Sequence, residues 1–114
     1  RDTDSQVRQL AAWGLGESKD KRALHPLLEA LMTGDAEVRG GAALALGELK
    51  DREAVSPLID TFSSDPEPMV RKRAIRAIGE IGDRSVLPYL VNRLEKEHEE
   101  PLKQTISWAI KQLQ

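Results

Sequence analysis

The sequence predicts an all-α protein, a right-handed solenoid of antiparallel helix pairs, because one segment recurs at a nearly fixed interval. The segment Val38–Leu49 has a counterpart that begins 31 residues earlier at Val7 and another that begins 32 residues later at Val70. A fourth, looser copy begins at Leu102. A period in this range is typical of stacked helical units rather than of one globular core.

The spacing of apolar residues assigns two helices to each unit. In the helix that opens with the Val-Arg pair, here called the Val-Arg helix, Val38, Ala42 and Leu46 are four residues apart. This spacing places them on one stripe that must be buried. The connecting helices carry a second stripe, which includes Leu58 and Phe62. We therefore predict about seven helices in one array over 1–114, with a half repeat at 1–18 and units at 19–49, 50–81 and 82–114.

Aspartates mark the predicted helix starts. Asp35 and Asp65 precede Val-Arg helices, whereas Asp51 and Asp83 precede connecting helices. An aspartate at this position can accept hydrogen bonds from the free amides of the first turn. Because Arg39 follows Asp35 by four residues, we also expect an ion pair between them that ties the turn to its helix.

Glycines recur near the end of the Val-Arg helices, at Gly16, Gly47 and Gly79. A glycine inside a helix costs roughly 1 kcal/mol relative to alanine. We therefore predict that a neighbouring backbone approaches closely at each of them.

Composition narrows the classes of function. The 114 residues carry a formal net charge of −2, which differs from the strongly basic balance of proteins that bind nucleic acid non-specifically. The chain has no cysteine, which excludes disulfides, thiolate zinc sites and a cysteine nucleophile. No apolar run is long enough to span a bilayer, so we expect no membrane contact. We also expect a cytoplasmic protein. Because the chain opens at Arg1, directly before a repeat helix, we expect it to be part of a longer protein.

The pattern Asp-x-x-Val-Arg-x-x-Ala-Ala-x-Ala-Leu-Gly-Glu-Leu-x-Asp-Arg-x-Ala-Val-x-Pro-Leu-Ile at 35–59 resembles the HEAT-like repeats of the phycobilisome-lyase type. The resemblance covers nearly the whole chain and is loosest in the fourth copy. It implies that the Val-Arg helices line the concave surface of the array. Such repeats serve scaffolds, adaptor subunits and a few enzymes, so the resemblance alone does not fix a function.

The candidate binding residues lie on the outward stripe of the Val-Arg helices, except Arg73, which belongs to a basic patch with Lys72 and Arg76. Their chemical type changes from copy to copy, as expected where packing does not dictate the side chain. Tryptophan and arginine are common anchors of interfaces. The predicted partner-binding residues are Gln9, Trp13, Leu44, Lys72, Arg73, Arg76 and Trp108. Gly40 and Gly41 are expected to leave a gap that a partner side chain enters. The alternatives are that the tryptophans pack on terminal or flanking repeats and that the cations form a solvated face.

No arrangement of residues points to catalysis. Glu17, Glu48 and Glu80 form a ladder without a base, nucleophile or metal beside it, and His25 and His98 lie far apart in sequence. Deoxyhypusine hydroxylase, an enzyme with similar repeats, carries His-Glu iron ligands directly after the repeat Arg. The corresponding pairs here do not match: Gln9-Leu10, Gly40-Gly41, Lys72-Arg73 and Gln104-Thr105.

The sequence therefore predicts a non-catalytic scaffold, not an enzyme, without a cofactor. We expect it to bind a protein or peptide on its concave face, with no nucleic-acid partner, as a monomer or with weak self-association through its terminal repeats. Two alternatives remain open. One is an accessory subunit of a bilin lyase or isomerase, and the other is a nucleic-acid-binding HEAT-like protein such as an alkylpurine glycosylase.

Overall fold

In the computed structural model, which describes residues 21–114, all regular structure is helical. Single 3-10 turns at 21–23, 52–54 and 84–86 introduce the connecting helices. The six α-helices are α1 (Leu24–Thr33), α2 (Ala36–Leu49), α3 (Val55–Ser64), α4 (Pro68–Ile81), α5 (Leu87–Lys96) and α6 (Glu100–Leu113). They confirm the all-α class and are consistent with a solenoid. The additional helix predicted in the half repeat at 1–18 falls outside the described residues.

The helices form two layers. The Val-Arg helices α2, α4 and α6 pack side by side in one layer, here called the Val-Arg layer. The connecting helices α1, α3 and α5 form the second layer, and each packs on the Val-Arg helix that follows it. The predicted apolar stripes are buried, with Ala42, Leu46, Ala74, Ile78 and Ile106 fully inaccessible to solvent. The core therefore lies between the layers and leaves the outer side of the Val-Arg layer open.

Two of the predicted close approaches at glycine are confirmed. A Cβ atom at Gly47 would lie 3.0 Å from Cα of Ala77 on α4. One at Gly79 would lie 3.2 Å from Cα of Ala109 on α6. These distances are tighter than van der Waals contact between carbons, so the missing side chains allow the Val-Arg helices to pack closely. Gly16 lies outside the described residues.

The predicted ion pair between Arg39 and Asp35 is wrong. Arg39 instead reaches Asp65 in the next repeat, where Nε donates to Oδ2 at 2.7 Å and Nη2 donates to Oδ1 at 3.1 Å. Asp35 caps α2, because its Oδ1 accepts a hydrogen bond from the amide of Val38 at 3.0 Å. The bidentate geometry favours Asp65, since two parallel charge-assisted hydrogen bonds are stronger than one exposed ion pair. The arginine thus connects adjacent repeats.

The predicted capping role is confirmed at Asp51 and Asp83, which cap the 3-10 turns that introduce α3 and α5. Asp51 accepts a hydrogen bond from the amide of Glu53 at 2.9 Å, and Asp83 accepts one from the amide of Ser85 at 3.0 Å. The prediction is wrong at Asp65, because Glu67 is the N-cap residue of α4 and Asp65 accepts a hydrogen bond from the Glu67 amide while it pairs with Arg39. Over residues 21–114, no helix has both the length and the apolar character needed to cross a membrane.

Candidate functional site

A groove with a volume of about 630 Å³ crosses the outer side of the Val-Arg layer. Helix α4 forms its centre, and α2 and α6 form its two sides. The residues that line it are Leu44 from α2, Met69, Lys72, Arg73 and Arg76 from α4, and Gln104, Thr105 and Trp108 from α6.

The helical period of α4 places three cations in this groove. Lys72 and Arg76 are four residues apart and both are exposed, while Arg73 is half-buried. Ala74 and Ile78 of the same helix are buried in the core. Among the described residues that line the groove there is no carboxylate, and Glu80 pairs with Arg76 from beside it. This part of the groove therefore presents more positive than negative charge, although the whole chain is slightly acidic.

Gly40 of α2 makes room for one of these cations. A Cβ atom at Gly40 would lie 2.8 Å from Nη1 of Arg73 and 2.8 Å from Sδ of Met69. These two side chains of α4 therefore lie across the backbone of α2. The expected gap for a partner side chain at this glycine is wrong, because the chain's own side chains occupy the space.

Trp108 belongs to both the packing between helices and the groove. Its Cζ3 atom lies against Gly79, at 2.6 Å from where a Cβ would stand, and the residue is half-buried. The Arg76 guanidinium lies 6.0 Å from the centroid of the indole ring, at the outer limit of a cation–π contact. Arg76 Nε also pairs with Glu80 Oε2 at 3.5 Å. The indole is therefore fixed by packing on one side and faces the groove on another.

The groove brings together five of the seven predicted binding residues: Leu44, Lys72, Arg73, Arg76 and Trp108. The other two, Gln9 and Trp13, lie outside the described residues. Sequence reasoning did not select three further lining residues, Met69, Gln104 and Thr105. The helical wheel did place Met69 and Gln104 on the outward stripe, so their position was detectable although their part in the groove was not.

The remaining candidates that lie within residues 21–114 are not brought together, and Glu17 lies outside the described residues. His25 and His98 are both exposed. Glu80 is engaged with Arg76 rather than with another carboxylate. Among residues 21–114, no three His, Asp or Glu side chains converge in a way that would hold a metal ion.

Comparison with protein families identifies the repeats. The sequence profile of HEAT repeats matches residues 1–66 and, in a second overlapping match, residues 34–111. None of the curated proteins compared with the chain matches it.

Several solved structures of epoxyqueuosine reductase are similar to this chain. A selenomethionine-labelled form is 38% identical over 68% of this chain and 20% of its own, with a TM-score of 0.64. A complex with an epoxyqueuosine-modified tRNA-Tyr stem loop is 38% identical over 67% of this chain and 20% of its own, with a TM-score of 0.63. The Bacillus subtilis enzyme, with its catalytic loop swung out of the active site, is 30% identical over 77% of this chain and 28% of its own, with a TM-score of 0.70.

These similarities overturn the expectations of a non-catalytic protein scaffold and of a chain that is not an enzyme, because the similar proteins are enzymes. The expectations relied on the lack of catalytic motifs. However, the matched segment is only 20–28% of each reductase chain, so motifs in the rest of such a protein are not visible in these 114 residues.

Proposed function

We propose that this chain, which belongs to the HEAT-repeat family, is the repeat-bearing part of an enzyme that acts on tRNA. In this proposal the groove across the Val-Arg layer holds the phosphate backbone of an RNA stem loop. The observation that carries it is the cluster of Lys72, Arg73 and Arg76, with no carboxylate among the described residues that line the groove. The similarity to a reductase solved with a tRNA stem loop supports the choice of ligand.

The physical argument concerns local rather than net charge. Arginine and lysine side chains bind phosphate oxygens, and each contact releases condensed counterions from the nucleic acid. A cleft lined by one sign of charge focuses the field and raises the local concentration of the opposite charge. The proposal departs from the expectation that nucleic acid is not a partner, which was based on the net charge of −2.

Finer features of the protein are part of this proposal. We propose that the helix pairs are antiparallel and wind with a right hand, which the short connections and the two layers support. The pattern at 35–59 supports the phycobilisome-lyase subtype of the repeat. We further propose that the protein is cytoplasmic, which an RNA substrate favours, and that the remainder of the enzyme is its protein partner.

Binding of a fluorescent tRNA anticodon stem loop, measured by anisotropy at several salt concentrations, tests the proposal. We expect the logarithm of the association constant to fall with the logarithm of salt concentration with a slope of about −2 to −3, as three phosphate contacts require. The double variant Lys72→Ala/Arg76→Ala should lose roughly 10-fold or more in affinity. Its salt slope should be shallower by about 2.

The matched control is Arg84→Ala/Lys96→Ala. It removes the same number of positive charges from exposed residues of the second layer. Arg84 begins the 3-10 turn before α5, and Lys96 is the last residue of α5. We expect its salt slope to equal that of the unmodified chain. Equal loss of binding in both variants, or no binding by the unmodified chain at low salt, would refute a phosphate site in the groove. Circular dichroism of both variants verifies that the helices are retained.

A further inference from the structure

We propose that Trp108 and Arg76 form a slot that accepts one unpaired base of the RNA, so that the groove recognises a loop rather than a duplex. This inference rests on the proposed function and names the part of the RNA that the groove binds.

The Arg76 guanidinium lies over the indole ring of Trp108, and both side chains line the groove. The Arg76 guanidinium lies 6.0 Å from the indole centroid of Trp108. A flat ring needs about 3.5 Å on each side, or roughly 7 Å in all. A base can therefore enter between them only if the guanidinium moves outward from the indole.

Arg76 is free to make that movement. Its side chain is 61% exposed, and its ion pair with Glu80 at 3.5 Å is solvated, so this pair contributes little to holding the guanidinium in place. Arginine stacks on aromatic faces and on bases with its planar guanidinium. The same side chain can thus cover a base and remain near the adjacent phosphate.

Trp108 forms the fixed wall of the slot. Its Cζ3 atom lies against Gly79, where a larger residue would displace the indole. The next residue, Ala109, is fully buried at the contact with the same helix. Because the indole is already held in place, a base that stacks on it meets a surface that costs little entropy to order.

The other lining residues suit a nucleotide. Leu44 and Met69 add apolar surface, and Lys72 and Arg73 stand on the neighbouring turn of α4, where phosphates on either side of the base can reach them. Gln104 supplies an amide that can pair with the edge of a base. The volume of about 630 Å³ lies in the range of small-ligand sites, roughly 300–1,000 Å³.

The slot predicts a preference for loops. Bases in a duplex are stacked on their neighbours, whereas those in a loop can be splayed out and stacked on aromatic side chains or arginine planes. Stacking depends weakly on sequence because every base has a π-face. We therefore expect the slot to discriminate unpaired from paired bases more strongly than one base from another.

The test compares three RNAs of equal phosphate number: a stem loop, the same stem loop with abasic residues in the loop, and a fully paired duplex. We expect the unmodified chain to bind the stem loop about 10-fold more tightly than the abasic or the paired RNA. Trp108→Leu should remove this difference and leave the affinity for abasic RNA unchanged. Trp108→Phe, which keeps an aromatic face, should retain part of it.

Each outcome separates the slot from the phosphate site. Equal, salt-dependent affinity of the unmodified chain for all three RNAs would overturn the slot and leave the proposed function intact. The absence of binding to any of them would overturn both. Adenosine monophosphate serves as a fourth ligand, and binding as tight as that of the stem loop would assign the slot to a free nucleotide instead of RNA. Circular dichroism verifies that both Trp108 variants remain helical.

Discussion

Replacing Phe62 with alanine is expected to lower the free energy of unfolding by about 3–5 kcal/mol. Phe62, the only phenylalanine of the chain, is 1% exposed in α3. It meets Tyr89 edge to face with 6.5 Å between ring centroids, and the Arg93 guanidinium lies 4.9 Å from its centroid. The substitution therefore opens a cavity and also removes one of the contacts between two consecutive repeats.

The loss of unfolding free energy is measured by chemical denaturation, with circular dichroism as the signal. Phe62→Leu is the control, because it retains most of the apolar volume and should cost about 1 kcal/mol. In a repeat array each unit contacts only its neighbours, so the alanine variant should also unfold less cooperatively. A cost below that of the leucine variant would show that α3 and α5 are not coupled through this ring.

Replacing Asp65 with alanine is expected to cost about 3 kcal/mol of stability, because Arg39 would keep its charge in a partly buried position without its carboxylate. The Arg39 and Asp65 side chains are 19% and 6% exposed. Asp65 also accepts a hydrogen bond from the amide of Glu67 at 3.0 Å, and its carbonyl accepts one from Arg71 Nη1 at 2.7 Å. The residue thus connects two arginines of successive repeats.

Asp35→Ala is the matched control for this substitution. Asp35 caps α2 through one amide and has an exposed side chain, so its loss should cost about 1 kcal/mol. The difference between the two variants isolates the contribution of the bond to Arg39. Equal losses would mean that this bond contributes nothing to the cohesion of the repeats.

The same carboxylate makes stability depend on pH. Burial raises the pKa of Asp65, but the hydrogen bonds from Arg39 and from the Glu67 amide, together with the charges of Arg39 and Arg71, outweigh it and lower the pKa below its ordinary value of 3.8. The folded pKa lies below the unfolded one, so this stabilisation is present above about pH 4 and is lost as the pH falls through the folded pKa. The free energy of unfolding should therefore fall less steeply below pH 4 in Asp65→Asn than in the unmodified chain.

The fold could be predicted from the sequence because the same packing pattern recurs in each repeat. The stripe through Val38, Ala42 and Leu46 has the helical period, and a glycine near the end of each complete copy indicates where backbones meet. The ion-pair partner of Arg39 could not be predicted in the same way. A spacing of four residues favours Asp35, whereas the observed bond to Asp65 depends on how far one repeat is displaced from the next.

The candidate site was predictable in part for the same reason. The helical wheel placed Leu44, Arg76 and Trp108 on one outward stripe, and the groove contains all three. It did not show that Arg73 crosses Gly40, because that contact is set by the distance between α2 and α4. Function was harder to predict, since net charge describes the whole surface and a basic groove is a local property.

The most direct test of the central claim is a titration of the isotope-labelled chain with the tRNA stem loop, followed by NMR. If the groove across the Val-Arg layer binds RNA, the largest shift changes will fall on the amides of Lys72 and Arg73 and on the indole N–H of Trp108. The amides of α3 and α5 will change little. Changes concentrated on α3 and α5, or none at a stem-loop excess in low salt, would contradict the assignment of this groove as an RNA site.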